Sequence, residues 1–407
     1  MIKTHMIERY GTVPTIKSIR IQKGTSVIVR ADFDVPLING GVADSSRIEA
    51  VVPTLRALDR AGARIRIVAH LGRPHGAYDP ALSLAPVGRV LARLLDRRVI
   101  LVQDPFAAEA FKKYEAALDI LLFENIRFWP GEEKNSRAFA TDIARWGDLY
   151  VNESFASCHR AHASVSALPA ILPAYAGLHL ESEIKALVRL MTNPKRPFVA
   201  VLGGAKIETK LPLIRRFVRD ADEVLIGGAL ANTLFALHGF GVGRSTAEPE
   251  SRVPHALLHS KKLYLPSDVL VADGLEAGAK CRVAAPDDVK DDEYIVDMGP
   301  KTCASFAEHI ARARTVVWNG PMGLAEREEF SRGTLVIAEA IKNNKGFTVA
   351  GGGDTLAALA RHHTGKQFSH VSMGGGAMLA FLAGEKLPGL EALKRVKRKA
   401  KNGESTE

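Results

Sequence analysis

Polar segments, most of them carrying arginine or histidine, follow short apolar runs in the first half of the chain. They occupy residues 30–34, 70–74, 124–127, 152–153 and 159–162. The planar guanidinium of arginine suits carboxylates and phosphates, because it donates two parallel hydrogen bonds to them. If the apolar runs are parallel strands, the residues after them meet at one sheet edge. The pattern predicts an anion site, with a solvated rim as the alternative for any single arginine.

In the second half of the chain, glycines and not arginines follow the apolar runs. Glycine clusters that each precede a helical pattern occupy residues 203–204, 227–228, 351–353 and 374–376. Glycine lets backbone N–H groups approach phosphate oxygens, and a helix N-terminus adds a favourable dipole. Four such turns predict a polyphosphate ligand. Lys206 and Lys210 are expected on one helix face, and Asp354 is a candidate Mg²⁺ ligand or, alternatively, a helix N-cap.

Familiar nucleotide-binding fingerprints are missing from the sequence. The chain holds neither a GxxxxGK[ST] P-loop nor the HRD and DFG motifs of protein kinases. The near match from Gly239 to Gly243 is followed by Arg244 and does not complete GxGxxG. A Rossmann dehydrogenase and a protein kinase are therefore both disfavoured.

Apolar, β-rich runs alternate with helical patterns, which predicts parallel sheets of α/β type. Strands are expected at 26–31, 65–69, 99–102, 120–123 and 148–152 in the first half. In the second half they are expected at 198–202, 223–226, 269–271, 315–318, 348–350 and 370–372. Helices are expected between them, for example at 45–61 and 84–95.

One helix is expected at the junction of the two halves. Apolar residues recur at helical spacing over 181–192, and Asn193-Pro194 ends the pattern. We therefore expect an N-terminal domain over 1–180, this hinge helix, and a C-terminal domain over 193–387. The segment from about 388 to 407 is expected to pack back on the N-terminal domain.

The composition is that of a globular chain with a basic surplus. The 407 residues are 46% hydrophobic and 25% charged, with a formal net charge of +10. This excludes a disordered chain and a disulfide-stapled scaffold. Three widely spaced cysteines, Cys158, Cys281 and Cys303, fit a reducing compartment, so a cytoplasmic location is expected. No secretory signal is expected in the first 11 residues, and no apolar run predicts a membrane helix.

The basic surplus suits nucleic acid, a membrane surface or an anionic metabolite, and composition alone does not choose between them. Basic residues concentrate at 394–401. Because the sequence holds no helix-turn-helix, RRM or KH signature, we expect neither nucleic acid nor a membrane as a partner.

A dozen sequence blocks, in order, resemble those of phosphoglycerate kinases over essentially the whole chain. They are VRADFDVPL, AHLGRPHG, LFENIRFWPGEE, VNESFASCHRAHAS, RPFVAVLGGAKIETKL, GGALANTLF, LPSDVLVA, DMGPKT, VVWNGPMGLAE, GGGDTLAAL, HVSMGGGAML and AGEKLPGLEAL. The resemblance implies two Rossmann-like lobes, each a parallel sheet flanked by helices, joined by the hinge helix. It also implies reversible phosphoryl transfer between ATP and the carboxylate of 3-phosphoglycerate, with Mg²⁺ as cofactor.

The resemblance assigns roles to the residues that match the family's motifs. It implies that phosphoglycerate is bound by Asp32, Asp34, Arg47, His70, Arg73, Arg127 and Arg160. It implies that the nucleotide is bound by Gly203, Lys206, Lys210, Gly228, Gly299, Asn319, Glu326, Gly352, Gly353, Asp354 and Thr355. Glu326 is implied at the ribose and Asp354 at the metal. The catalytic groups implied are Arg47, Lys206, Gly352 and Gly375.

Several positions depart from the family's pattern. Asp34 stands where Asn is common, and the usual Asp-Ala, Thr and Ser are replaced by Glu153-Ser154, Met373 and Met378. An anion at Asp34 would repel an anionic substrate unless it pairs with an arginine or is protonated. Because Arg47, Lys206 and Asp354 are all present, we expect an active enzyme with altered substrate affinity.

Phosphoryl transfer to a carboxylate needs positioning and charge stabilisation but no general base, since the acceptor is ionised near pH 7. We expect the lobes to close about the hinge helix, which would exclude water and bring Arg47 to Lys206. A catalytically silent homologue and a basic nucleic-acid-binding protein are the alternatives. The resemblance implies a monomer.

Overall fold

The computed structural model describes residues 10–11, 13–361 and 368–401, and side chains as far as residue 394. The chain divides into two compact units. The first comprises Met1–Val188 with Glu385–Glu407, and the second comprises Arg189–Gly384.

The first unit is built on a parallel sheet. Its strands are β1 (Ser26–Arg30), β2 (Leu37–Ile38), β3 (Gly41–Val42), β4 (Arg64–Val68), β5 (Val99–Val102), β6 (Ile120–Phe123), β7 (Leu149–Asn152) and β8 (Ala174–Ala176). Six of them are ordered β5-β6-β4-β1-β7-β8, while β2 and β3 form an antiparallel pair. The central strand β1 reads Val-Ile-Val between Ser26 and Arg30 because both faces of the sheet are covered, whereas β4 alternates isoleucine with Arg64 and the buried Arg66.

Helices cover that sheet. They are α1 (Ser46–Arg60), α2 (Ala85–Leu95), α3 (Ala108–Tyr114), α4 (Pro130–Glu133) and α5 (Arg137–Ala144). The next helix, α6 (Leu178–Thr192), contains the boundary between the two units, which falls after Val188. Short turns of 3₁₀ or π helix lie at Ile16–Ser18, Pro80–Leu82, Ile126–Phe128, Phe155–Ser157, Ala163–Ala167 and Leu168–Ala170. Val51, Leu55 and Leu58 of α1 are fully buried and join the strand residues in one core cluster.

The second unit contains a second parallel sheet and a small antiparallel one. Its strands are β9 (Phe198–Leu202), β10 (Glu223–Ile226), β11 (Leu263–Tyr264), β12 (Val269–Ala272), β13 (Cys281–Ala284), β14 (Tyr294–Met298), β15 (Thr315–Asn319), β16 (Phe347–Gly351) and β17 (His370–Ser372). The parallel sheet is ordered β11-β10-β9-β15-β16-β17 and the antiparallel sheet β13-β12-β14. Strand order reverses between β9 and β15, which is where ligands bind in open α/β sheets.

The helices of this unit are α7 (Ile207–Asp220), α8 (Gly228–Leu237), α9 (His255–Leu258), α10 (Pro300–Arg312), α11 (Arg332–Asn343), α12 (Gly353–Arg361) and α13 (Gly376–Ala383). Two 3₁₀ turns lie at Pro286–Asp288 and Glu328–Phe330. Within the described part of the chain, every helix is too short or too polar to cross a bilayer.

The last helix, α14 (Pro388–Lys401), belongs to the first unit. It contacts β8 and the short helices between 163 and 170. Leu390 and Leu393 are fully buried, and the Gly389 N–H donates to the Cys158 carbonyl at 2.9 Å. The basic side chains from 395 onward lie outside the described ones.

The α/β fold class predicted from the sequence is confirmed, with one strand misassigned. The run at 269–271 was expected to join a parallel sheet, but β12 pairs antiparallel with β13 and β14. An apolar run predicts a strand without specifying its partner, and here a short loop lets the chain fold back on itself. The two strands that pair with β12, namely β13 and β14, were not predicted from the sequence.

The junction helix also begins earlier than expected, at Leu178. The buried carboxylate of Glu153 accepts the N–H groups of His179 at 3.3 Å and Leu180 at 2.9 Å. A carboxylate at a helix N-terminus satisfies free donors and complements the helix dipole. Glu153, which departs from the family's pattern, therefore caps the first turn of α6.

Candidate active site

Polar residues of the first unit gather at the carboxyl ends of β1, β4, β6 and β7. Their positions are given by the chain segments that follow those strands. After β1 come Asp32 and Asp34, after β4 His70 and Arg73, after β6 Arg127, and after β7 Arg160, with Arg47 at the start of α1. We call this set the basic patch. The sheet brings together residues more than 120 positions apart in the sequence.

Arg47 is held at the patch by an ion pair with Asp32. Its Nη1 donates to Asp32 Oδ2. Asp32 is buried, whereas the Arg47 side chain is 27% exposed. Within the described part of the chain, Asp32 Oδ1 has no hydrogen-bond partner. Asp32 therefore orients Arg47 while leaving guanidinium N–H groups free for an anion.

Asp34 is the patch residue expected to repel an anionic substrate. Its Oδ1 accepts the Gly72 N–H at 2.9 Å, and its Oδ2 lies 3.9 Å from His70 Nε2. Its charge also favours the charged form of Arg127. The surrounding donors and cations partly offset the negative charge of Asp34.

Arg127 is a fixed, buried cation. Its Nη1 donates to the Gly72 carbonyl at 2.6 Å, and its Nε lies 3.5 Å from Glu133 Oε1. Burial, followed by the charges of Arg160 and Arg30, lowers the pKa of Arg127 to about 10. A bound anion would relieve the repulsion that Arg127 experiences from its cationic neighbours. Arg73 is exposed in the neighbouring turn.

His70 of the basic patch and the neighbouring His162 are neutral at neutral pH. Burial and then the charge of Arg30 hold the pKa of His70 well below its usual range. Burial and then Arg127 lower the pKa of His162 to about 4. Among the described residues, no His, Cys, Asp or Glu cluster could hold a metal ion by itself.

Arg30 begins the predicted anion-site segment 30–34, but the sequence assigned it no binding role of its own. It ends β1, is fully buried, and donates through Nε to Ser164 Oγ at 2.7 Å. Its Nη2 lies 3.1 Å from His70 Nδ1 and donates to it, since arginine cannot accept. Glu132 accepts from the N–H and Oγ of Ser164 and balances part of the charge. The available signal was a charged residue completing the apolar strand Ser26–Arg30.

Two adjoining clefts lie in the second unit. The polar cleft, about 810 Å³ including open solvent, is lined among others by Lys206, Lys210, Asn319, Gly352, Gly353, Asp354, Thr355 and Gly375. The N-termini of α7, α12 and α13 all lie in this lining. Their dipoles and free N–H groups favour anions.

Lys206 and Lys210 both line the polar cleft, but they do not share a helix face as expected. Lys206 is the N-cap of α7, with extended backbone, because the helix begins at Ile207. Lys210 lies in the helix, and its Nζ donates to Asn319 Oδ1. Burial lowers the pKa of Lys210 to about 8, and the charge of Asp354 opposes that shift.

Glycine is required at the cleft wall by conformation and by space. Gly352 has φ +107°, and a Cβ there would lie 2.7 Å from Asn319 Nδ2. A Cβ at Gly203 would meet the Pro321 carbonyl. Gly203 and Gly299, both expected at the nucleotide, lie outside the linings of the two clefts. Gly299 packs against Asp268 as the N-cap of α10.

The apolar cleft, about 870 Å³ including open solvent, adjoins the polar one through Gly204, Ala205 and Asp354. Apolar side chains make most of its wall, and polar groups enter at few points. Its lining includes Gly228, Leu275, Val296, Met322, Leu324 and Glu326. Such a cleft suits a flat base with an attached sugar.

Asp354 belongs to both linings and is exposed in the first turn of α12. Within the described part of the chain, its carboxylate makes no hydrogen bond. Mg²⁺ binds through one or two carboxylates together with substrate phosphates and water. A single open carboxylate in the lining of the polar cleft fits that ion.

The structure explains only one of the two methionines that differ from the family's pattern, Met378 and Met373. Met378 is fully buried, and a Cβ at Gly351 would collide with its Sδ, so it packs behind the glycine turn. Nothing in the structure explains Met373.

Comparison with known proteins gives one answer. A family model described as phosphoglycerate kinase matches residues 16–385. The chain is 42% identical over 388 residues to the phosphoglycerate kinase of Pelotomaculum thermopropionicum, covering 93% of this chain and 98% of that one. It is 44% identical over 380 residues to that of Thermus thermophilus, covering 91% and 97%. The structure of phosphoglycerate kinase from Coxiella burnetii matches with a TM-score of 0.82 and 36% identity, covering 94% and 98%.

The fold and the relatives define an α/β phosphotransferase that uses a carboxyl group as acceptor. The chain belongs to the phosphoglycerate kinase family. A family match of this extent does not favour the nucleic-acid-binding alternative.

Proposed function

We propose that the chain transfers a phosphoryl group reversibly between ATP and the carboxylate of 3-phosphoglycerate, with the acid on the basic patch and the nucleotide in the two clefts. The observation that carries this proposal is the division of anion-binding chemistry between the units. One unit offers arginine side chains, and the other offers glycine N–H groups and three helix N-termini at one cleft.

On the basic patch, the guanidiniums of Arg127 and Arg160 bind the anionic groups of the acid, and Arg73 reaches it from the adjoining turn. Arg47, oriented by Asp32, meets the phosphoryl group as charge builds on its oxygens. Neutral His70 adds hydrogen bonding without requiring a proton to leave or arrive.

In the second unit, the base lies in the apolar cleft, where Gly228 lets it approach the backbone and Glu326 binds the ribose hydroxyls. Lys206 and Lys210 bind the phosphates in the polar cleft. Gly352, Gly353 and Gly375 offer N–H groups to the phosphoryl group in transit, while Asn319 and Thr355 hold the wall in place. Fixed donors of this kind act without reorganisation during the reaction.

Asp354 would hold Mg²⁺, which supplies neutralisation of phosphate charge when bound. The residues do not include a general base, and the reaction does not need one. We also propose that ligand binding drives closure about α6, because the donor and acceptor are assigned to different units.

A coupled assay tests the function. ATP, 3-phosphoglycerate and Mg²⁺ are supplied, and oxidation of reduced nicotinamide by the downstream dehydrogenase is followed. Turnover that needs all three supports the proposal, and its absence supports a catalytically silent homologue. Compaction in small-angle scattering with both ligands tests closure. We further propose a monomer that works in the cytoplasm, in keeping with three free cysteines, and sedimentation tests its assembly.

A further inference from the structure

Asp297 is a buried carboxylate in the lining of the apolar cleft that no step above uses. It lies on β14 and is 3% exposed. Its Oδ1 accepts the Met298 N–H at 2.9 Å, and its Oδ2 accepts the Gly333 N–H at 2.6 Å. Within the described part of the chain, no cationic side chain forms an ion pair with it. Burial raises the pKa of Asp297 to about 7, so holding a carboxylate here costs stability.

The bond to Gly333 ties the N-terminus of α11 to β14. Gly333 is the second residue of α11, and the N-cap Ser331 makes no side-chain cap bond. A carboxylate that accepts an N–H at this end of a helix satisfies a free donor and complements the dipole. Asp297 therefore supplies from another element the cap that the local sequence lacks.

The same two elements hold the segment that carries Glu326. The Met322 N–H donates to Thr334 Oγ1 on α11 at 3.0 Å, and the Leu324 N–H donates to the Val296 carbonyl on β14 at 2.9 Å. Residues 321–326, α11 and β14 thus form a closed ring of hydrogen bonds. Asp297 supplies the link between α11 and β14.

The backbone also touches the carboxylate directly. A Cβ at Gly323 or at Gly333 would collide with the carboxyl group of Asp297. Both segments pass so close that the carboxylate sets their separation. A change at Asp297 would be passed to Gly323 and, three residues later, to Glu326.

We propose that Asp297 is a positioning residue for the nucleotide, clamping α11 to β14 so that the 321–326 segment presents Glu326 to the ribose. The inference rests on the proposed place of the nucleoside in the apolar cleft. Asp297 acts on the ligand through that segment and not on the transferred group.

Asp297→Asn tests the proposal, because it keeps the shape but replaces one acceptor oxygen with an NH₂ group that cannot accept. We expect the KM for MgATP to rise about tenfold, with kcat and the KM for 3-phosphoglycerate within about threefold of the parent values. Thr334→Val, which removes the next link of the ring, should give the same selective rise if the first variant folds poorly.

Asp268→Asn is the matched control. Asp268 is also buried and caps a helix, accepting the Thr302 N–H at 2.7 Å, but it lies outside the linings of both clefts. A purely structural role for Asp297 predicts that both variants lose stability without a selective change in KM. That result would overturn the inference.

Glu326→Gln separates this inference from the proposed function. If Glu326→Gln raises the KM for MgATP while Asp297→Asn and Thr334→Val do not, the clamp is wrong and the nucleoside site stands. If Glu326→Gln also leaves that KM unchanged, the placement of the nucleoside is wrong, and the inference falls with it.

Discussion

Replacing Arg47 with alanine should separate catalysis from nucleotide binding. The guanidinium pairs with Asp32, whose side chain is 7% exposed, and the second oxygen of Asp32 already lacks a partner. The variant therefore removes a cation assigned to the phosphoryl group and leaves a bare carboxylate in its place. An arginine that stabilises the transition state of phosphoryl transfer is worth roughly 10³-fold or more in turnover, and a 10³-fold loss corresponds to about 4 kcal/mol.

Arg47→Ala should lower the free energy of unfolding by less than it raises the barrier to phosphoryl transfer. Breaking a buried ion pair costs about 3–5 kcal/mol, but Arg47 is partly solvated, so we expect a loss of about 2 kcal/mol. Urea unfolding measures this loss, the coupled assay measures turnover, and titration calorimetry measures the Kd for MgATP. The Kd should stay within about twofold of the parent value, because Arg47 belongs to the other unit.

The double variant Asp32→Asn with Arg47→Ala is the control. Removing the bare carboxylate should restore part of the stability but not the turnover. Turnover of Arg47→Ala within tenfold of the parent would refute the role assigned to Arg47. Recovery of turnover in the double variant would refute it as well, because the defect would then come from the exposed charge of Asp32.

Four further results are expected. Because the pKa of Lys210 is about 8, MgATP affinity should fall between pH 7 and pH 9, and calorimetry on Lys210→Arg should show a flatter profile. His162 has a pKa of about 4 against 6.5 when unfolded, so the unfolded chain takes up the proton first and stability falls as pH drops through that window. The loss is about 2 kcal/mol at pH 5 relative to pH 8, and His162→Gln should remove it in urea unfolding at the two pH values. Gly352→Ala forces a side chain into a left-handed backbone against Asn319 and should cost about 1–3 kcal/mol, seen as a raised KM for MgATP together with a lower melting temperature. Leu393→Ala empties a fully buried position on α14 and should destabilise the first unit by about 2–5 kcal/mol, measured by chemical unfolding, with the Kd for MgATP unchanged.

The sequence predicted the parallel sheets and the polar ends of their strands, because both follow from local patterns. Runs such as Phe198–Leu202 carry enough apolar residues to be recognised as buried strands, and the residues after such runs must share an edge. The antiparallel sheet was not predictable in the same way. The strand Cys281–Ala284 is short and only Ala284 is buried, so its pairing with Val269–Ala272 depends on the tertiary fold.

The residues of the candidate site also differ in whether the sequence alone predicts them. The position of a residue close to a strand end, such as Asp354, follows from the strand, and Asp354 lines both clefts of the second unit. The hydrogen-bond partners of Arg30 and Asp297 were not predicted, since both residues belong to strands, where a charged residue gives no indication of its partners. Their partners, Ser164 and Gly333, lie 134 and 36 residues away in the sequence. Only the fold brings those groups together.

Equilibrium binding of each ligand to a matched pair of variants tests the central claim, that the acid and the nucleotide bind to different units. Arg160→Gln should weaken 3-phosphoglycerate at least tenfold and leave MgATP unchanged, whereas Lys206→Gln should weaken MgATP and leave 3-phosphoglycerate unchanged. The assignment of the two ligands to different units is contradicted if both variants weaken binding of the same ligand. It is also contradicted if each variant weakens binding of the ligand assigned to the other unit.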